Sequence, residues 1–288
     1  MMIPDYKEFS RLAGEATLVP VAKTVPADLL TPVSAFLAVA ADEPDAFLLE
    51  SVERGEQIGR YTFLGARPYM QIRSQGKEVT IRRGKKTERL TGDVFQIIKQ
   101  QLREHRPAKV PGLPPFTAGA VGYCSYDIVR QLERIGERAK RDVEIPDCVL
   151  MFFDRLLAFD HLHHQIHIVA TADVSGGNPR RAFNRAVADI EALEKKLADG
   201  LSPALWQRSS HSKGPLKVHS GTERGRFTQM VERAKEYIAA GDIFQVVLSQ
   251  RLDFVPEVAP FDIYRALRTV NPSPYMYFLR MGDMHVLG

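Results

Sequence analysis

The sequence predicts an α+β protein in which antiparallel β-sheets pack against flanking helices. Four short runs rich in β-branched and aromatic residues (46–52, 61–66, 70–74 and 79–82) follow one another without an intervening helix, punctuated by Gly76 and Gly84. Capped amphipathic segments stand beside such runs instead of alternating with them as in a βαβ chain. No stretch approaches ~18 uninterrupted apolar residues, and no charged start leads into an apolar export signal, so neither membrane insertion nor secretion is signalled. A cytoplasmic location is the expectation.

The elements can be justified in order. Over 29–40, Thr31 can cap a helix and Pro32 can take its first position, with Val33, Phe36, Leu37 and Ala40 at helical spacing. After the four strands, Val94, Ile97, Ile98 and Leu102 predict a helix over 93–105, which four prolines between 107 and 115 bring to an end. The segment 117–126 is glycine-spaced, as in a strand that another backbone approaches closely. Residues 149–159 are apolar apart from Asp154 and Arg155, which predicts one strand covered on both faces. A turn at 161–165 returns it as 166–170. Asn178, Pro179 and the stripe Phe183, Val187, Ile190, Leu193 and Leu197 predict a helix over 178–197.

Beyond it, 198–221 gathers Gly, Ser, Pro and Lys and loses periodicity, as a linker does. The expected division is therefore 1–199, a linker at 200–221, and 222–288. Thr222 can cap a helix carrying Phe227, Met230, Val231, Ala234 and Ile238 and ending at Gly241. A strand over 243–252, a helix over 261–270, and strands over 275–279 and 285–287 follow.

Composition excludes several functions. A length of 288 residues fits one large or two modest domains at the usual ~100 to 200 residues each. The net charge of +4 comes from scattered basic residues (Arg82, Arg83, Lys85, Lys86; Arg138, Lys140, Arg141; Arg180, Arg181) without interleaved aromatics, so nucleic acid is not an expected partner. Cys124 and Cys148 sit in apolar runs and read as two buried thiols of a reducing compartment. The hairpin made by the 161–165 turn and the 166–170 return carries four of the eight histidines, His161, His163, His164 and His167. No Cys, Asp or Glu set completes a tetrahedral site beside them, so they read as solvated and no metal site is expected. There is no phosphate-cradling glycine loop and no Gly-x-Ser-x-Gly elbow.

What stands out is Gly241-Asp242-Ile243-Phe244-Gln245-Val246-Val247-Leu248-Ser249-Gln250-Arg251, a helix stop leading into polar side chains among apolar ones. A buried Gln is costly unless paired, so Gln245 or Gln250 should meet a specific partner, which could be neighbouring backbone. Two further segments are Leu48-Leu49-Glu50-Ser51 and Asn271-Pro272-Ser273-Pro274-Tyr275-Met276-Tyr277-Phe278. Taken alone, Asn271 could end a helix in a left-handed turn, and Glu50-Ser51 could be an exposed strand end.

The 241–251 string resembles the opening of the chorismate-binding domain of anthranilate synthase component I. Phe116 to Tyr123 with Ser125-Tyr126-Asp127 and Arg130, and Gly59-Arg60-Tyr61-Thr62-Phe63-Leu64-Gly65, resemble the N-terminal region of the same subunit. The motifs occur in family order over 46–288. The resemblance implies amination of chorismate, loss of pyruvate and aromatisation to anthranilate, with Mg2+ holding the substrate carboxylate and a glutamine amidotransferase subunit delivering ammonia. Gln245 is the candidate substrate-site residue. Related enzymes that use water as nucleophile place a basic Lys at its position, a role a neutral amide cannot fill. Val247 leans towards anthranilate rather than aminodeoxychorismate, whose synthases often carry Asn there.

The resemblance also implies an L-tryptophan effector site built from Glu50, Ser51, Pro274, Tyr275 and Met276. An indole burying ~150 to 250 Å2 is worth about 4 to 6 kcal/mol before association costs, so polar groups must add the rest. The family's catalytic and metal-binding residues have no counterpart in these 288 residues, so the chain alone is expected to be inactive. Aminodeoxychorismate synthase component I and a non-catalytic effector-binding module remain the alternatives.

Overall fold

A computed structural model describes residues 1–51, 59–136, 142–200 and 216–288. In chain order they form β1 (Met2–Ile3), α1 (Tyr6–Leu12), β2 (Leu18–Pro26), α2 (Pro32–Ala40), β3 (Asp45–Ser51), β4 (Tyr61–Ala66), β5 (Met70–Gln75), β6 (Glu78–Arg83) and β7 (Lys86–Thr91). Next come α3 (Val94–Arg103), β8 (Gly119–Cys124), a 3-10 helix (Tyr126–Gln131), β9 (Cys148–Phe153), β10 (Arg155–Asp160), β11 (Gln165–Asp173) and α4 (Pro179–Ala198). The remainder is β12 (His219–Ser220), α5 (Arg224–Ala239), β13 (Leu252–Asp253), α6 (Pro260–Val270), β14 (Tyr275–Met281) and β15 (Met284–Leu287).

The chain divides into two compact units, Met1–Gln207 with Tyr264–Gly288, and Arg208–Ile263. The segment expected as 222–288 is thus split at Tyr264, because β14, which carries β15 with it, pairs with β3 of the first unit. Most of the expected linker, at 201–215, lies outside the described residues, as do Val52, Arg138, Lys140 and Arg141.

In the first unit an eight-stranded sheet runs β1-β2-β11-β10-β4-β3-β14-β15 and a five-stranded sheet runs β7-β6-β5-β9-β8. Every pairing of these strands with one another is antiparallel among the described residues. The sheets meet through Phe47 of β3, Leu279 and Met281 of β14, Val121 of β8, and Val149, Met151 and Phe153 of β9. Phe47 and Phe153 pack edge-to-face at 4.7 Å. Burying a side chain of this size contributes about 2 to 3 kcal/mol. At the rim of that interface Arg82 of β6 donates to the buried Asp45 of β3 at 2.5 Å, a charged contact that also joins the two sheets.

Helices cover the outer faces. Phe36 of α2 packs on Phe278 of β14, and Phe9 of α1 on Phe183 of α4, while α3 and the 3-10 helix cover the five-stranded sheet through Val94 and Ile128. The α+β class with antiparallel sheets and flanking helices is therefore observed. The helix starts follow the capping chemistry: Thr31 and Ser34 form a reciprocal box with Pro32 behind it, Asp93 caps α3, and Asn178 caps α4. The cap position of α5 is Glu223 rather than the expected Thr222, and its side chain makes no capping hydrogen bond.

Three expectations need correction. The apolar run 149–159 is two strands, β9 in one sheet and β10 in the other, and Asp154 and Arg155, the polar residues in it, mark where the chain crosses. The run 243–252 is irregular and largely exposed up to β13, because its residues pair with no neighbouring strand except where Leu252–Asp253 meet His219–Ser220. Of the two thiols only Cys148 is buried; Cys124 is exposed at the end of edge strand β8. Strand β2 is an addition to the expected elements, and it holds Pro20 and Pro26. Pro20 is tolerated because β1 pairs only with Ala22 and Lys23, so no partner on that side needs its missing N–H. No helix among the described residues is long and apolar enough to cross a membrane.

Gly122 shows why β8 is glycine-rich: a Cβ there would lie 1.9 Å from the Val149 carbonyl oxygen. Gly122→Ala is expected to lower stability by about 3 kcal/mol through forced strand separation. Gly76→Ala is expected to cost only about 1 kcal/mol, since a positive φ is strained but the space is open. Urea midpoints at unchanged slope would measure both, and equal midpoints would refute the close approach.

Candidate functional site

The candidate effector residues meet on two adjacent strands, β3 and β14, near the β15 edge of the eight-stranded sheet. Strand β3 lies between β4 and β14, with Ser51 opposite Tyr275, Glu50 opposite Met276, and Glu50 opposite Thr62 on the other side. Two segments more than two hundred positions apart are thereby register partners. Alternation sends Glu50, Met276 and Thr62 to the helix-covered face, together with Leu48 and Phe278, and turns Ser51 and Tyr275 to the other face. Met276 is 2% exposed and Tyr275 68% exposed. Pro274 is half-buried just before β14, and residues 52–58, which continue from Ser51, lie outside the described residues.

Glu50 is no exposed strand end. It is 5% exposed, and its carboxylate is held by α6. The Tyr264 hydroxyl donates to Oε2 at 2.5 Å, Arg268 Nη2 donates to Oε1 at 2.9 Å, and Arg268 Nε lies 2.7 Å from Oε2. Burial, reinforced by the adjacent carboxylate, pushes the Tyr264 hydroxyl far above its ordinary value, so it acts as a permanent donor. Thr62 Oγ1 lies 2.8 Å from His161 Nε2, and burial holds that imidazole below its usual pKa although Glu50 pulls it upward. The α6 end also differs from expectation: Asn271 is not left-handed, and its N–H extends the helical ladder to Leu267.

Tyr264 and Arg268 were missed by sequence reasoning. Their i, i+4 spacing places both on one face of α6, but nothing local reveals that the face meets a carboxylate 214 residues earlier. Gln245 lies in the other unit and is exposed rather than buried as expected; Gln250 Oε1 accepts from Ser220 Oγ at 3.3 Å.

The turn histidines are not all solvated. Asp160 is buried and accepts from Arg60 Nη2 at 2.7 Å, from the backbone N–H groups of Leu162 and His163, and lies 2.9 Å from His163 Nδ1. His167 is 7% exposed and lies 3.0 Å from Thr24 Oγ1. Among the described residues no group of three His, Cys, Asp or Glu is placed to hold a metal ion. Both Glu50 oxygens are already engaged by Tyr264 and Arg268, which leaves neither free to hold Mg2+.

With this geometry in place, a family model described as chorismate binding enzyme matches residues 44–288. The chain belongs to the chorismate-binding enzyme family. It is 38% identical to anthranilate synthase component 1 of Acetivibrio thermocellus, covering 100% of this chain and 59% of that protein. It is also 38% identical to the protein of that name from Synechocystis sp., covering 100% and 58%, and from Pseudomonas aeruginosa, covering 98% and 58%. The crystal structure of anthranilate synthase component I from Streptococcus pneumoniae TIGR4 superposes with a TM-score of 0.67 at 25% identity, covering 92% of this chain and 56% of that one. The chain thus spans somewhat more than half the length of these relatives.

Removing one partner of the Glu50 carboxylate should unmask the cost of burying it. Tyr264→Phe is expected to lower stability by about 1.5 kcal/mol. Arg268→Met is expected to cost about 3 kcal/mol, at the low end for a broken buried pair because the guanidinium is partly exposed. A double-mutant cycle read by urea melts should show coupling between the two, and strict additivity would contradict a shared acceptor.

Asp160 gives a pH prediction. Burial alone would raise its pKa, but Arg60 and the His163 side-chain and backbone contacts outweigh it and hold the carboxyl well below the usual range. Its contribution is then complete above its unfolded value of about 3.9 and is lost as the pH falls towards the lower folded value. Asp160→Asn should cost about 2 kcal/mol at neutral pH, discounted for the half-exposed Arg60. The gap to the parent should close on acidification below about pH 4, and a gap unchanged by acid would refute the pairing.

Proposed function

We propose that the chain is the N-terminal part of an anthranilate-forming chorismate enzyme and carries its L-tryptophan effector site. The observation that supports this reading best is the β3–β14 pairing, which sets Glu50-Ser51 in register with Tyr275-Met276. A site that joins the two ends of the first unit is suited to sensing a small effector. Occupancy would favour one arrangement of the pair, and by linkage the pair would alter substrate use elsewhere.

In this proposal the substrates are chorismate and ammonia, the products anthranilate and pyruvate, and the ammonia comes from a glutamine amidotransferase subunit. Glu50, Ser51, Pro274, Tyr275 and Met276 are the proposed effector-site residues, Ser51 and Tyr275 through side chains that share one face of the sheet, and Glu50 and Met276, whose side chains turn to the buried face, through their main chain. Glu50 is neutralised by Arg268 and Tyr264, so its main contribution is to hold β3 and α6 in fixed register, leaving Ser51 and the main chain at 274–276 to grip the amino acid. Gln245 contributes to the substrate site as a neutral amide, compatible with ammonia as nucleophile. Mg2+ belongs to the proposed activity, but no residue described here is assigned to it.

The test uses a protein of the relatives' full length. Anthranilate fluorescence with chorismate, Mg2+ and ammonium should show product and its inhibition by tryptophan; aminodeoxychorismate as product would replace this reading with the folate-pathway transferase. Ser51→Phe should raise the tryptophan needed for half-inhibition by roughly tenfold or more while leaving uninhibited turnover nearly unchanged. Full inhibition of that variant at the parent's concentration would remove Ser51 from the site.

A further inference from the structure

The two cysteines of this chain face each other across one rung of the five-stranded sheet. Cys124, the last residue of β8, is the register partner of Cys148, the first residue of β9, and their sulfurs are 3.5 Å apart. Antiparallel register partners have Cα atoms about 4.5 to 5.5 Å apart. That lies within the ~4.4 to 6.8 Å span a disulfide bridges, so side-chain rotation suffices to bring the sulfurs to ~2.05 Å. The backbone beside the pair is pinned, because Ser125 N–H donates to the Asp147 carbonyl at 2.7 Å.

The two thiols differ in a way that orders their chemistry. Cys148 packs with Ile72, Ile128 and Phe152, and burial pushes its thiol well above the usual value, so it stays protonated and unreactive by itself. Cys124 is exposed and meets dissolved oxidants first. With only two cysteines in 288 residues, neither has a competing intrachain partner.

We propose that Cys124 and Cys148 form a redox modification site, a dithiol that a hydroperoxide converts to an intrachain disulfide closing residues 125–147 into a loop. The Cys124 thiolate attacks the terminal peroxide oxygen, the O–O bond breaks, and hydroxide or alkoxide leaves, giving the sulfenic acid. The Cys148 sulfur then attacks the Cys124 sulfur. The S–O bond breaks, and the oxygen departs as water with the Cys148 proton. In total the two thiols lose two electrons and the peroxide gains them. A thiol reductant reverses the bond by exchange. This inference does not depend on the proposed catalytic activity.

The test treats the purified full chain with hydrogen peroxide and captures remaining thiols with iodoacetamide. Mass spectrometry of the tryptic digest should show a Cys124–Cys148 linked peptide in monomeric protein, both thiols protected together, and full recovery after dithiothreitol. In Cys148→Ser, dimedone should trap a sulfenic acid at Cys124. In Cys124→Ser, oxidation of Cys148 should slow by roughly tenfold or more. Sulfinic acid at Cys124 with Cys148 still alkylatable, or disulfides only between chains, would overturn the proposal. These outcomes are read on the parent protein, so a variant that fails to fold leaves the test standing.

Discussion

A carboxylate cannot be buried cheaply, and Glu50 sits on an inner strand of an eight-stranded sheet with almost no contact with water. Its charge is tolerated because α6 brings Tyr264 and Arg268 against both oxygens. The same arrangement requires β14 to follow α6 back into the sheet beside β3. The return of residues 264–288 to the first unit, the register of the two effector segments and the splitting of the expected C-terminal segment are therefore one structural event. Its apolar support is the packing of Phe278 between Phe36 of α2 and Tyr264 of α6.

Around that strand the two sheets are joined at two chemically different places. Phe47 drives an apolar wedge into Phe153 and Met151, whereas Asp45, two residues earlier on the same face, is met by Arg82. The chain itself passes between the sheets at Asp154, where Thr171 N–H donates to the Asp154 carbonyl and Arg155 pairs with Asp189 of α4. Arg280 closes the far end of β14 by donating to the carbonyls of Ala40 and Ala41 at the C-terminal end of α2 and of Glu43 just beyond it. The candidate effector strand pair is thus tied at both ends to helices by arginines.

Much of this was legible where the signal is local. Caps at Thr31, Asp93 and Asn178, the Gly76 and Gly84 turns and the period of α4 depend on hydrogen bonds and dihedrals within a few residues. The glycine spacing of β8 likewise announced a close neighbour, though not which one. Illegible parts are those where a partner is distant. An apolar run from 149 to 159 has the same composition whether it lies in one sheet or crosses between two. Ile243 to Leu252 has a strand's composition but lacks a described neighbour over most of its length. His167 reads as a solvated hairpin histidine until Thr24 of β2 is placed beside it.

The amino-acid sequence alone determined the α+β class, most helix starts and the family, because motif order and capping survive without coordinates. Which residues share a face, which carboxylate is neutralised and by whom, and that Cys124 stands opposite Cys148 were decided only by tertiary structure. The physical reason is that a strand's side chains alternate between two environments. Only the pairing of distant strands says which environment is which.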